Sequence, residues 1–147
     1  MEHVALQNTQ YNTLIEEKYP IATLSNIAAF IHQHFQFHWQ GFYLVQGGEL
    51  TLGPFQGPVA CNPIAKGKGV CGKSWEQNHT ILVPYVEQFE GHIACSPLTK
   101  SELVVPIFDA AGNVCAVLDL DSTEENYFSS QHQSYFERLC ASLGILF

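Results

Sequence analysis

Basic residues are scarce in this chain of 147 residues: six Lys and Arg stand against fourteen Asp and Glu, for a formal net charge of -8. They are scattered and form no patch, which excludes a nucleic-acid or acidic-lipid partner, since both need clustered positive charge. Charged residues make up only 14% and hydrophobic ones 46%, a globular composition and not a disordered one. No apolar run approaches the ~18 residues of a transmembrane helix. The opening residues, Met1 to Asn8, lack the basic and apolar regions of a secretory signal, so a cytoplasmic protein is expected. No repeat, low-complexity run or linker is visible, and residues 1–147 read as a single domain. None of the five cysteines falls in a C-x-x-C pair, which disfavours a dithiol redox pair of that type and a standard zinc knuckle. In a reducing compartment they are thiols, ligands or catalysts sooner than structural staples.

What is present is organised around the stretch from Phe89 to Asp121. Two apolar runs, Ser101 to Asp109 and Val114 to Asp121, flank a turn at Ala110-Ala111-Gly112-Asn113 and predict a β-hairpin. Pairing Asp109 with Val114 sets Glu102 opposite Asp121, and period-two alternation puts Asp119 on the same face as Asp121. Three carboxylates then converge close to Cys95. Like charges facing each other across a sheet are destabilising, so a shared proton, a metal or a cationic ligand must offset them.

Upstream, Asn8 to Tyr19 predicts a short helix stopped by Pro20. The spacing of Ile21, Leu24, Ile27, Ile31 and Phe35 predicts an amphipathic helix over 21–37. His32, His34 and His38 fall largely off its apolar stripe and read as a polar face, since i, i+2 is poor ligand spacing on a helix. Gly41 to Gln46 and Leu50 to Leu52 around Gly47-Gly48 predict a first hairpin. Trp39 and Tyr43 at its entry read, on spacing alone, as core aromatics. A turn-rich link, Gly53 to Pro58, leads to a short strand at Val59-Ala60-Cys61. Gly67 to Gly72 matches G-x-G-x-x-G formally, but no βαβ unit surrounds it. The physical reading is a loop that delivers Cys71 to the start of a helix over 72–78, where the helix dipole would favour its thiolate. Ile81 to Val83 is a strand. Ser129 or Ser130 caps a last helix with Tyr135, Phe136, Leu139, Cys140, Leu143 and Leu146 on its core face. Cys140 and Cys115 read as inert buried thiols. The fold class is α+β, an antiparallel sheet with helices packed on it.

Several chemistries compete for Cys61, Cys71 and Cys95. A zinc site with His92, a Cys–His hydrolase using His92 as base, and merely buried thiols all stay open on the residues alone. A thiolate beside further thiols in mobile segments and carboxylates suits attack on an electrophilic sulfur. A sulfenic acid forms, a second Cys condenses with it, and an external dithiol resets the protein. A carboxylic acid kept protonated by its neighbours supplies the proton to the departing oxygen.

Taken together, Trp39-Gln40-Gly41-Phe42-Tyr43, Gly53 to Cys61, Gly67 to Gly72, Gly91-His92-Ile93-Ala94-Cys95, Ser101-Glu102 and Leu118 to Ser122 resemble the free methionine-(R)-sulfoxide reductases, a catalytic branch of the GAF-domain family. The resemblance implies a GAF-like fold, a central antiparallel sheet flanked by N- and C-terminal helices, and reduction of free methionine (R)-sulfoxide. It implies Cys95 as nucleophile, Cys71 as main resolving cysteine and Cys61 as a second one. Trp39 and Tyr43 become pocket aromatics, and Glu102, Asp119 and Asp121 bind the sulfoxide and the amino group. No metal or bound cofactor is implied. Thioredoxin, fed by NADPH through thioredoxin reductase, is the implied reductant, and related enzymes are often homodimers. Pro63, Tyr85, Glu90 and Ser96 depart from the pattern, where Arg, Asp, Pro and Asp are usual. A non-catalytic GAF module that binds a small ligand for sensing is the alternative from another class, because fold does not settle function.

Overall fold

The computed structural model describes residues 6–147; the expectation about the N-terminal signal rests mainly on residues 1–5, outside the described residues. Six strands form one antiparallel sheet in the order β3-β2-β1-β6-β5-β4. They are β1 (Trp39–Gln46), β2 (Glu49–Gln56), β3 (Ile64–Ala65), β4 (Ile81–Val83), β5 (Ser101–Phe108) and β6 (Val114–Ser122). Among the described residues the sheet is accompanied by the α-helices α1 (Pro20–Phe35), α2 (Gly69–Gln77) and α3 (Ser130–Leu143). None of the described helices is long and apolar enough to cross a membrane. The α+β architecture expected from the pattern of helices and hairpins is the one found.

Both faces of the central strands are covered, which is why β5 and β6 read as nearly continuous apolar runs. On one face Phe42, Leu103, Val105, Leu118 and Leu120 pack against Leu24, Ile27 and Ile31 of α1 and Phe136, Leu139 and Leu143 of α3. On the other, Tyr43, Val104 and Val117 join Cys71 and Trp75 of α2 in a second, smaller cluster. Alternation therefore splits each strand between a helix-covered core and a face where polar groups gather.

Local sequence explains the element ends. Pro20 occupies the first turn of α1, where its missing N–H costs nothing. The helix closes at Phe35, two residues earlier than its periodicity predicts, because Gln36 adopts a left-handed conformation (φ 54°) and its N–H caps the His32 carbonyl. Ile21, expected on the apolar stripe, is exposed. The predicted helix at 8–19 is only a 3₁₀ segment, Gln10–Leu14. Ser129 caps α3 in a reciprocal capping box with His132.

Two expectations around the first hairpin are corrected. β2 runs on to Gln56 through the supposed link, because Gly53 and Pro54 together oppose the single residue Phe42 in a β-bulge. The expected strand at Val59 to Cys61 is absent; β3 lies instead at Ile64–Ala65, paired with Glu49 and Leu50. The second hairpin keeps the predicted register at its open end, with Glu102 opposite Asp121. At the turn it differs: Phe108 pairs with Val114, so the extra residue Cys115 forms a bulge and its thiol donates to the Ile107 carbonyl. Pro106 is accommodated because β4 stops at the pairing of Ile81 with Val104, which leaves that side of β5 open.

Candidate active site

The site lies on the sheet face away from α1 and α3, at the ends of β1, β6 and β5. Cross-strand pairing sets Trp39 beside Asp121, Gly41 beside Asp119, and Asp121 beside Glu102. Gly41 is required there. A Cβ added to it would fall 2.3 Å from the Phe55 Cβ and 2.7 Å from the Trp39 ring. The missing side chain lets Trp39 lie parallel to Phe55, with ring centroids 5.2 Å apart, and against Tyr43, at 5.9 Å. Trp39 and Tyr43 are buried, and both line the pocket, so core packing and pocket wall are one role. Their polar atoms face the loop that carries Cys61: Trp39 Nε1 donates to the Pro58 carbonyl at 3.0 Å, and the Tyr43 hydroxyl to the Cys61 carbonyl at 2.8 Å.

The three carboxyls converge as their strand positions require. Glu102 and Asp119 are buried, while Asp121 is partly open. Burial pushes the Glu102 carboxyl up to about 8, with Asp121 adding to the rise. Burial and then the neighbouring carboxylates hold Asp119 and Asp121 well above the usual carboxylate range. The cluster therefore retains protons near neutrality, the shared-proton solution to like-charge crowding. Asp119 Oδ1 is buried with no hydrogen-bond partner, an acceptor facing a site that a donor can enter.

Three segments close the pocket over this floor. The loop after β2 brings Pro58 to Ala60, with Cys61 next in sequence, the N-terminal turn of α2 brings Cys71, and residues 89–100 bring His92 and Cys95. Cys61 and Cys95 are joined by a disulfide. Cys71 is a buried free thiol. This differs from the expectation that Cys71 is the main partner of Cys95. The expected stabilisation of a Cys71 thiolate by the dipole of α2 is also overturned. Burial raises its thiol well above its ordinary value, and Asp119, Glu102 and Asp121 raise it further. Gly69, at φ 61°, leaves room for Ile93 to pack against the start of α2, which seats the Cys95 segment beside Cys71.

His92 received no settled role from the sequence, yet its Nε2 lies 3.3 Å from Glu102 Oε1, and burial lowers its basicity. Ser96, beside Cys95, shares a 2.9 Å hydrogen bond with His38 Nε2. Periodicity could expose neither contact, because Ser96 and His38 lie 58 residues apart and His92 sits in a loop whose path no local rule specifies. His32 and His34 are exposed, as the polar-face reading expected, although His32 Nδ1 shares a 3.3 Å hydrogen bond with the amide of buried Gln40. His38 departs from that reading, being half-buried and bonded to Ser96. The zinc set of Cys61, Cys71, His92 and Cys95 does not fit, because two of its sulfurs are bonded to each other. Cys71, Glu102 and Asp119 do place ligand atoms within 4.8 Å of one another, a set that could take a soft divalent cation. Cys140 is buried as expected, whereas Cys115 is only partly so.

A family model described as GAF domain matches residues 22–147. The chain is 49% identical to GAF domain-containing protein A of Dictyostelium discoideum over 86% of this chain and 80% of that one. It is 37% identical to the free methionine-R-sulfoxide reductase of Escherichia coli, over 97% and 87% of the two chains. The solved free methionine-R-sulfoxide reductase of Neisseria meningitidis, in complex with its substrate, superposes with a TM-score of 0.91 at 38% identity, covering 99% of this chain and 87% of that one. The sheet order, the two covered faces and these relatives agree: the chain belongs to the GAF domain family, in the group that includes the free methionine-R-sulfoxide reductases.

Proposed function

We propose that the protein reduces free L-methionine (R)-sulfoxide to methionine. The carrying observation is the disulfide between Cys95 and Cys61 at the mouth of a pocket with three buried or half-buried carboxyls on its floor. Cys95 attacks the sulfoxide sulfur, the S–O bond breaks, and the oxygen leaves on the cysteine as a sulfenic acid while methionine departs. Protonated Glu102 gives a proton to the sulfoxide oxygen in that step. Cys61 then condenses with the sulfenic acid, releasing water and forming the disulfide. Thioredoxin, itself reset by NADPH through thioredoxin reductase, returns both thiols. Asp119 and Asp121 hold the substrate ammonium, which supplies the donor that Asp119 Oδ1 lacks. Trp39 and Tyr43 form the apolar wall for the methyl-sulfur end. Cys71 stays protonated beneath the substrate.

NADPH oxidation with thioredoxin and thioredoxin reductase tests this on the free (R) and (S) sulfoxides and on a peptide-bound sulfoxide. Turnover of the free (R) form alone is expected. A folded, fully reduced protein that binds a ligand saturably, without turnover and without loss of a thiol pair, would identify a sensing module instead.

A further inference from the structure

Residues 89–100 carry Cys95 between a 3₁₀ turn and β5, and no helix or strand holds them. Among the described residues, three side-chain hydrogen bonds tie this strap to other elements. Lys73 Nζ donates to the Glu90 carbonyl, His92 meets Glu102, and Ser96 Oγ meets His38 Nε2 at 2.9 Å. Only the last lies next to Cys95 in sequence, one residue beyond it. His38 is itself fixed. Its N–H donates to the Asp121 carbonyl at 3.0 Å, and the next residue, Trp39, pairs with Asp121 and stacks on Phe55.

We propose that His38 is a positioning residue: through Ser96 Oγ it anchors the strap to the Asp121 end of β6, so that reduced Cys95 faces both the carboxyl floor and Cys61. This rests on the reductase reading for its effect on turnover, but not for its effect on the disulfide. In the reduced protein the Cys61–Cys95 bond no longer holds the strap, and the distance between the two thiols is set by such ties. Ser96 and His38 are both half-buried, so water competes with the bond only in part. The disulfide holds the strap where Ser96 meets His38, so the hydrogen bond is stronger in the oxidised protein than in the reduced one. By reciprocity, losing it disfavours the disulfide by up to about fivefold.

The test equilibrates the protein with glutathione disulfide, which is reduced to two glutathione molecules as the Cys61 and Cys95 thiols are oxidised and give up their protons. His38→Ala and Ser96→Ala are each expected to lower the equilibrium constant for forming the disulfide by up to about fivefold, and the double variant to fall no further. His38→Gln, which places an amide nitrogen near the Nε2 position, is expected to restore most of the loss. For His38→Ala the rate of methionine release in single turnover falls while the half-saturating sulfoxide concentration stays within about twofold, since His38 does not line the pocket. An unchanged equilibrium in His38→Ala, shown folded by thermal melting, would overturn the proposal, as would a loss in His38→Gln as large as in His38→Ala, or additive losses in the double variant. A wild-type protein that fails to reduce methionine sulfoxide would sink the reductase reading alone, because the glutathione equilibrium reads the His38 tie without that substrate.

Discussion

A single sulfur at the pocket mouth carries the proposed chemistry, and its partner separates three thiols into three roles. Cys95→Ser is expected to abolish methionine release in single turnover as well as steady-state turnover. Cys61→Ser should release close to one methionine per chain and then stall, seen as a burst without NADPH consumption beyond it. Cys71→Ser keeps the Cys61–Cys95 disulfide and should recycle, because Cys71 is a buried, protonated free thiol. A Cys71→Ser protein that bursts and stalls would move the resolving role from Cys61 to Cys71. At Glu102 the proton matters more than the shape. Glu102→Gln keeps a hydrogen-bond donor but cannot release a proton, so methionine release should slow by about 10²-fold or more with binding largely retained. The sequence made the carboxyl cluster legible, since strand alternation and one hairpin register suffice to bring Glu102, Asp119 and Asp121 together. It could not choose the disulfide, because Cys61 and Cys71 are separated from Cys95 by loops whose paths no local rule specifies.

The elements show why local rules succeeded in some places and failed in others. The β5–β6 hairpin obeyed its alternation because one face must meet α1 and α3, and a slip by one residue would expose every apolar side chain on it. The β1–β2 hairpin misled, since Gly53 and Pro54 punctuate a loop in most sequences but here occupy a bulge opposite Phe42. Gly41 is the pivot of this region. Gly41→Ala should cost about 2–3 kcal/mol through overpacking against Phe55 and Trp39, lowering the midpoint of chemical denaturation, and should also weaken substrate binding by shifting the Trp39 ring. Leu118→Ala, on the opposite face of β6 and fully buried, should cost about 2–5 kcal/mol with KM little changed. Together the two variants separate the strand's packing face from its site face.

For the whole molecule, the protonated carboxyl floor couples stability to pH. Burial lowers the His92 imidazole below its ordinary value, so the unfolded chain binds the extra proton near pH 6.5 and His92 opposes the trend weakly there, contributing no slope above about 7.5. Glu102 retains its proton up to about 8 when folded and loses it near 4.5 when unfolded. The folded state thus binds more protons, and stability falls as pH rises. The ligand-free, reduced protein should melt at a lower temperature at pH 8 than at pH 6.5, and Glu102→Gln should shrink that difference. An ammonium-bearing ligand should oppose it by neutralising the ionised floor. The sequence by itself determined the α+β architecture, the helix faces, the central hairpin and the shared face of the three carboxyls. Each of those follows from hydrophobic periodicity and backbone geometry within short stretches of chain. Only the tertiary structure decided that Cys61 is the partner of Cys95, that Cys71 is a buried thiol held protonated against the helix dipole, and that His38 and His92 reach the Cys95 strap. These depend on which remote segments share a pocket, and there burial and opposing charges outweigh what any residue's near neighbours in sequence would dictate.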